Sequence, residues 1–171
     1  MVIRLLLLVL VSAPALAEWQ STDDSTLTFE ASFEGSPLPG EFPAFSVSYT
    51  DGESLVVDIN LAKADLGDEE MNAVLFDAAW FGRDFATARF EATSFSAGAA
   101  GELVASGQLD LKGVKADVDV PISWSEDADT ATMTGEFTLD RTRFDVGTGE
   151  WANGDSIAID VVVRFEVVLR R

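Results

Sequence analysis

Arg141 and Arg143, two residues apart, and a scatter of carboxylates are most of what this chain offers to polar chemistry. Its 171 residues include no histidine and no cysteine. The usual general base, the thiolate nucleophile and the soft metal ligands are therefore missing. No Gly-x-Ser-x-Gly, phosphate-loop or dinucleotide fingerprint occurs. Asp23-Asp24 and Asp127 with Asp129 supply oxygens of the kind calcium takes, but no ordered ligand loop surrounds them. Paired carboxylates can cleave glycosides; an enzyme would need carboxylates converging on the mouth of a cavity, and Glu150 or Asp155 are the ones to test. An arginine turned inward would hold a quinone or carboxylate oxygen; the alternative for Arg141 and Arg143 is a structural pairing with Asp140 or Asp145. The expectation is a binding protein, not an enzyme, with no metal and no resident cofactor.

Whatever binds must be held by strands. From Ile157 onward, Ile157, Ile159, Val161, Val163, Phe165, Val167 and Leu169 share one face, and Asp160, Arg164 and Glu166 share the other. That period of two is the mark of a strand with one apolar side. Leu27, Phe29, Ala31 and Phe33 give a first strand, which Pro37, Pro39 and Gly40 interrupt. Phe45, Val47 and Tyr49 give a second, and Asp51-Gly52 turns it into a third along Leu55, Val57, Ile59 and Leu61. Then the period lengthens. Asp68-Glu69-Glu70 precedes Met71, Val74, Leu75 and Ala78, the stripe of a short helix whose first-turn acids suit its dipole.

Alternation returns with Ala88, Phe90 and Ala92, and with Leu103, Ala105, Leu109 and Leu111. Lys112-Gly113 turns the chain into Val118, Val120, Ile122 and Trp124. Ser125 to Asp129 is expected as an acidic loop before Met133, Gly135, Phe137 and Leu139, and a glycine-rich connection from Gly147 to Gly154 leads to the last strand. About eight antiparallel strands and one helix after the third predict an all-β domain, a closed barrel or a sandwich, around an apolar interior. Eight strands make a barrel just wide enough to be filled by side chains or to hold one small ligand. Small inward residues such as Ala31, Ala88, Ala105 and Gly135 either leave room or fit the taper of a packed core.

The chain opens with Arg4, an apolar run from Leu5 to Val11 and a small-residue site at Ala15-Leu16-Ala17. This is the layout of a signal peptide cleaved after Ala17, so the mature chain is expected in the periplasm or outside the cell, with no membrane-spanning segment. Cleavage would leave 154 residues, one domain, and take the formal charge from −19 to −20 through the loss of Arg4. Such acidity repels phosphate backbones and anionic lipid surfaces, which argues against nucleic acid as a partner.

Three motifs in order resemble those of the YceI-like family of secreted lipid-binding proteins. They are Phe76-Asp77 through Phe81 with Ala86-Thr87-Ala88-Arg89-Phe90-Glu91-Ala92, then Gly107-Gln108-Leu109-Asp110-Leu111-Lys112-Gly113-Val114, then Leu139-Asp140-Arg141-Thr142-Arg143-Phe144-Asp145-Val146-Gly147 followed by Gly149-Glu150-Trp151. Ala86 and Ala116-Asp117 stand where the family usually has proline. The resemblance runs from Ser25 to Val168. It implies a lipocalin-like eight-stranded antiparallel β-barrel with one short helix and a long apolar cavity for a polyprenyl, quinone or fatty-acyl lipid, and it is compatible with either a monomer or a homodimer.

On that reading the residues in inward phase form the lining: Phe29, Phe33, Phe45, Tyr49, Val57, Ile59, Phe90, Leu109, Val120, Trp124, Phe137 and Phe165. Trp80, Phe81, Arg141 and Arg143 are expected at the mouth, the two aromatics as a lid or as a plug. The function expected is sequestration or carriage of a long-chain apolar lipid. The alternative is a packed barrel that acts through its surface, as a stress-response or envelope interaction module.

Overall fold

The computed structural model describes residues 18–171; the expected signal peptide lies outside the described residues. Ten strands follow one another along the chain: β1 (Glu18–Ser21), β2 (Thr26–Phe33), β3 (Ser36–Glu41), β4 (Phe45–Thr50), β5 (Ser54–Asn60), β6 (Thr87–Ala97), β7 (Leu103–Leu111), β8 (Val114–Asp127), β9 (Thr130–Asp140) and β10 (Asp160–Arg170). One helix, α1 (Glu69–Leu75), interrupts the series between β5 and β6.

All pairings are antiparallel, and they close into a ring. β1 and β2 both lie along β10, through Gln20↔Arg170 and Phe29↔Val163, while on their other side β1 pairs β4 and β2 pairs β3. β1 with β2 is thus one bent strand, and β3 with β4 another. The ring has eight staves, a closed lipocalin-like barrel with no free edge along most of its length.

Two elements depart from the sequence expectation. Residues 36–41 form a strand in spite of Pro37 and Pro39. β3 is hydrogen-bonded only to β2 apart from a single bridge, Glu41↔Asp65, and proline is tolerated on such an edge because no partner needs its missing N–H. The acidic stretch expected as a loop is strand as far as Asp127, paired Ser125↔Thr132 and Asp127↔Thr130, because its charges point to solvent while the backbone stays in the ladder. The turn itself is Ala128-Asp129, with Ala128 at positive φ.

Antiparallel order sorts the connections to two ends. One end carries the start of β1, the β4–β5, β6–β7 and β8–β9 turns and the end of β10. Aromatics seal it: fully buried Trp19 meets Trp124 edge-on at 5.5 Å, Tyr49 lies 5.1 Å from Trp124, and Phe95 lies 5.8 Å from Tyr49. The Trp19 indole donates to Asp51 (3.0 Å), and the Arg171 guanidinium covers its ring at 4.6 Å. The other end carries the β2–β3 hairpin, the long connection with α1, the β7–β8 turn and the segment from Arg141 to Ile159.

Outside, the strands present charge. Arg89 meets Asp58 at 2.8 Å and Arg164 meets Glu136 at 2.6 Å, both across neighbouring staves. Among the described residues no helix is long and apolar enough to cross a membrane.

Candidate functional site

The barrel is hollow. A cavity of about 350 Å³ runs through its interior, inside the ~300–1,000 Å³ range of small-molecule sites. Every residue on its wall is apolar except Arg141. The expected residues Phe29, Phe33, Phe45, Val57, Ile59, Phe90, Leu109, Val120, Phe137 and Phe165 all face it. Their strands position them by period alone: inward residues pair across staves as Val57↔Phe90↔Leu109 and Phe137↔Val163↔Phe29.

Tyr49 and Trp124 do not face the cavity. Both point inward, but at the sealed end, where they are spent on the aromatic plug. The Tyr49 hydroxyl accepts from the Gly52 N–H at 3.1 Å, a partner inside its own hairpin. Arg143 does not face the cavity either: its guanidinium is exposed, donating to the Asp117 carbonyl at 2.9 Å.

Arg141 does reach the cavity wall, and it is not free to bind anything there. Nε donates to Ala158 O (2.9 Å), Nη1 to Val146 O (2.8 Å) and Gly147 O (3.0 Å), and Nη2 to Ile157 O (2.8 Å) and to Trp151 O. A guanidinium has five N–H groups, and each has a main-chain carbonyl. The residue is only 3 % exposed, and burial lowers its pKa from the ordinary arginine value. The partners expected for it were a quinone or carboxylate oxygen of a ligand, or the side chains of Asp140 or Asp145. It gathers the connection between β9 and β10 instead.

Lys112, at the β7–β8 turn, does the same from the opposite side. Its ammonium donates to Ala78 O (2.8 Å), Ala79 O (3.2 Å) and Asp145 O (2.6 Å), and burial depresses its pKa. Gly147 and Thr148 donate their N–H groups to Ala79 O as well. The two connections are thereby tied to each other and to the barrel. Trp80 and Phe81 ride on the tied segment, buried, and close part of this end from within. The Trp80 ring lies 5.4 Å from the Arg141 guanidinium and 5.8 Å from Trp151, and its indole N–H has no acceptor among the described residues.

What stays open is bounded by two apolar lips. Phe33 at the tip of β2 is 41 % exposed, and Met71 and Val74 of α1 are 37 % and 45 % exposed, yet all three also line the cavity. Large apolar side chains that face water and cavity at once mark an entrance. The α1 lip is tethered by polar contacts. Asp68 caps the helix by accepting from Glu70 N and Met71 N at 3.0 Å, and Asn72 donates to Asp65 (2.8 Å) and accepts from Leu66 N (2.6 Å). Hydrogen bonds from the Asn72 side chain and then the Gly67 N–H hold the Asp65 pKa below its ordinary value. The sequence reading assigned none of Leu38, Phe42, Met71, Val74 or Trp151 to the cavity; the stripe on α1 was the one signal available for Met71 and Val74.

No curated protein matches the chain in sequence. Among solved structures it is similar to BcnA of Burkholderia cenocepacia, at 26 % identity and a TM-score of 0.80 over 86 % of this chain and 98 % of that one. It is similar in fold to a polyisoprenoid-binding domain from Saccharophagus degradans implicated in plant cell wall breakdown, at 16 % identity and a TM-score of 0.75 over 91 % and 99 %. A YceI protein of Campylobacter jejuni shares the fold at 15 % identity, with a TM-score of 0.66 over 78 % of this chain and 85 % of that one. The YceI-like domain model matches residues 20–169, nearly every residue that the barrel contains, and the chain therefore belongs to the YceI-like family.

Proposed function

We propose that this protein is an exported carrier that sequesters one long apolar chain, a polyprenyl, quinone-type or fatty-acyl lipid, inside the barrel. The observation that carries the reading is the cavity itself: about 350 Å³, walled by carbon, with its one charged group saturated by the main chain. Such a wall recognises area and not polarity. Each buried methylene contributes about 0.8 kcal/mol, so a long chain binds tightly without a hydrogen bond. The family assignment and the fold shared with a polyisoprenoid-binding domain support the same reading.

Among the described residues the cavity wall carries no carboxylate or hydroxyl, and its Arg141 is held by main-chain carbonyls, which supports binding over catalysis. The polar end of a ligand is left at the lips formed by Phe33, Met71 and Val74. A cavity of about 350 Å³ supports the carrier reading over the packed-barrel alternative.

Native mass spectrometry of protein purified without detergent, followed by solvent extraction, tests the proposal. A stoichiometric adduct of prenyl or acyl mass is the expected result. A bare mass that persists after incubation with polyprenols and fatty acids would overturn it.

A further inference from the structure

Gly40 does not line the cavity itself but packs against a residue that does, Phe29. Phe29 and Gly40 face each other across β2 and β3. A Cβ on residue 40 would stand 2.3 Å from Phe29 Cζ and 2.7 and 2.8 Å from the two Cε atoms. Carbon atoms rest at about 3.5–4.0 Å, so the ring lies flat on the bare glycine. The tightest constraint on residue 40 is that ring. Residue 40 has no positive φ, no turn passes through it, and the three nearest atoms to such a Cβ all belong to that ring. Gly135 seats Phe165 similarly, but a Cβ there would also stand 2.3 Å from the Pro121 carbonyl, so that glycine is demanded by the backbone.

A ring lifted off residue 40 has few places to go. Phe42 flanks it with ring centroids 4.8 Å apart, and the wall lies behind. It moves into the cavity. We infer that Gly40 is a specificity-determining residue: by holding Phe29 flat it keeps the bore wide enough for a methyl-branched prenyl chain, and any side chain at this position narrows the bore to the width of an unbranched one. The inference rests on the lipid-carrier reading and adds to it the residue that sets the bore.

The test uses geranylgeraniol and hexadecan-1-ol, alcohols with the same main-chain length, of which only the first carries methyl branches. Competition for the wild-type protein, Gly40→Ala, Phe29→Ala and the double variant is followed by native mass spectrometry. In Gly40→Ala the preference for geranylgeraniol over hexadecan-1-ol is expected to fall about tenfold or more, the scale on which a pocket discriminates a methyl group. Adding Phe29→Ala removes the displaced ring and restores the preference. Phe29→Ala alone, which widens the bore, shifts it toward the branched alcohol. An unchanged preference in folded Gly40→Ala, or an equal loss of both alcohols that Phe29→Ala does not restore, overturns the inference and leaves the carrier intact. A wild-type protein that takes up neither alcohol overturns both.

Discussion

Replacing Arg141 separates the shape of a cation from its charge. The guanidinium supplies all five of its N–H groups to the carbonyls of Val146, Gly147, Trp151, Ile157 and Ala158. Arg141→Met strands all five acceptors. At the low end of the cost of an unsatisfied buried group, about 1 kcal/mol each, the loss is about 5 kcal/mol. Relief from burying a charge returns part of that, and a net loss of about 3 kcal/mol is expected. Arg141→Lys keeps the charge and its burial cost, but an ammonium reaches at most three of the five carbonyls. Two stranded acceptors at the same ~1 kcal/mol each give about 2 kcal/mol. The charge-preserving substitution should therefore be nearly as damaging as the neutral one. Thermal unfolding followed by tryptophan fluorescence reads both, and a domain of this size should lose about 4–12 °C in Tm. A lysine variant within about 0.5 kcal/mol of wild type would refute the argument, since charge alone would then be holding the connection in place.

Phe90→Asp puts a carboxylate into the carbon wall between Val57 and Leu109, and lipid retention should disappear while circular dichroism still reports the barrel; retained lipid in the folded variant would show that the cavity is not the site. Exchanging the exposed lip residues, Met71→Gln with Val74→Thr, should leave stability within about 0.5 kcal/mol but slow lipid uptake in stopped-flow fluorescence; an unchanged rate would move the entrance elsewhere. Asp65 has a folded-state pKa below its unfolded one, so its contribution is complete above the ordinary carboxylate value near ~3.9 and is lost as the pH falls through the lower folded value. Lipid release should accelerate over that acid range and Asp65→Asn should blunt the acceleration; identical pH profiles would sever Asp65 from the α1 lip.

Alternation made most of the barrel legible, because a residue's phase along a strand settles whether it points in or out. Phase says nothing of height. Tyr49 and Trp124 have the same inward phase as Phe45 and Val120, and only the hairpin partners, which set register, put the first pair at the sealed end and the second within the cavity. β3 was hidden by Pro37 and Pro39, which read as a break until the strand is known to lie on an edge. Arg141 was visible as an inward cation, but the carbonyls it binds come from a connection that folds back over ten or more residues without periodicity. Gly40 looked like part of a turn. Its reason is a ring on the neighbouring strand, and no local pattern carries that information.

The way the ring closes has a consequence for how the protein is made. β10 lies between β9 on one side and β1 with β2 on the other, so of the barrel's strands the last in chain order is the one that joins the two ends of the sheet. Ser21 finds Leu169 across almost the whole chain, with no disulfide to shorten the search. Pairings this remote in sequence form late, since the loop they close costs entropy before any contact repays it. Until β10 arrives, β2 and β9 each present an open edge and the apolar wall is exposed to solvent. A nascent or C-terminally truncated chain is therefore a sheet with two adhesive borders, and loss of the final strand should lead to aggregation before it leads to a smaller barrel.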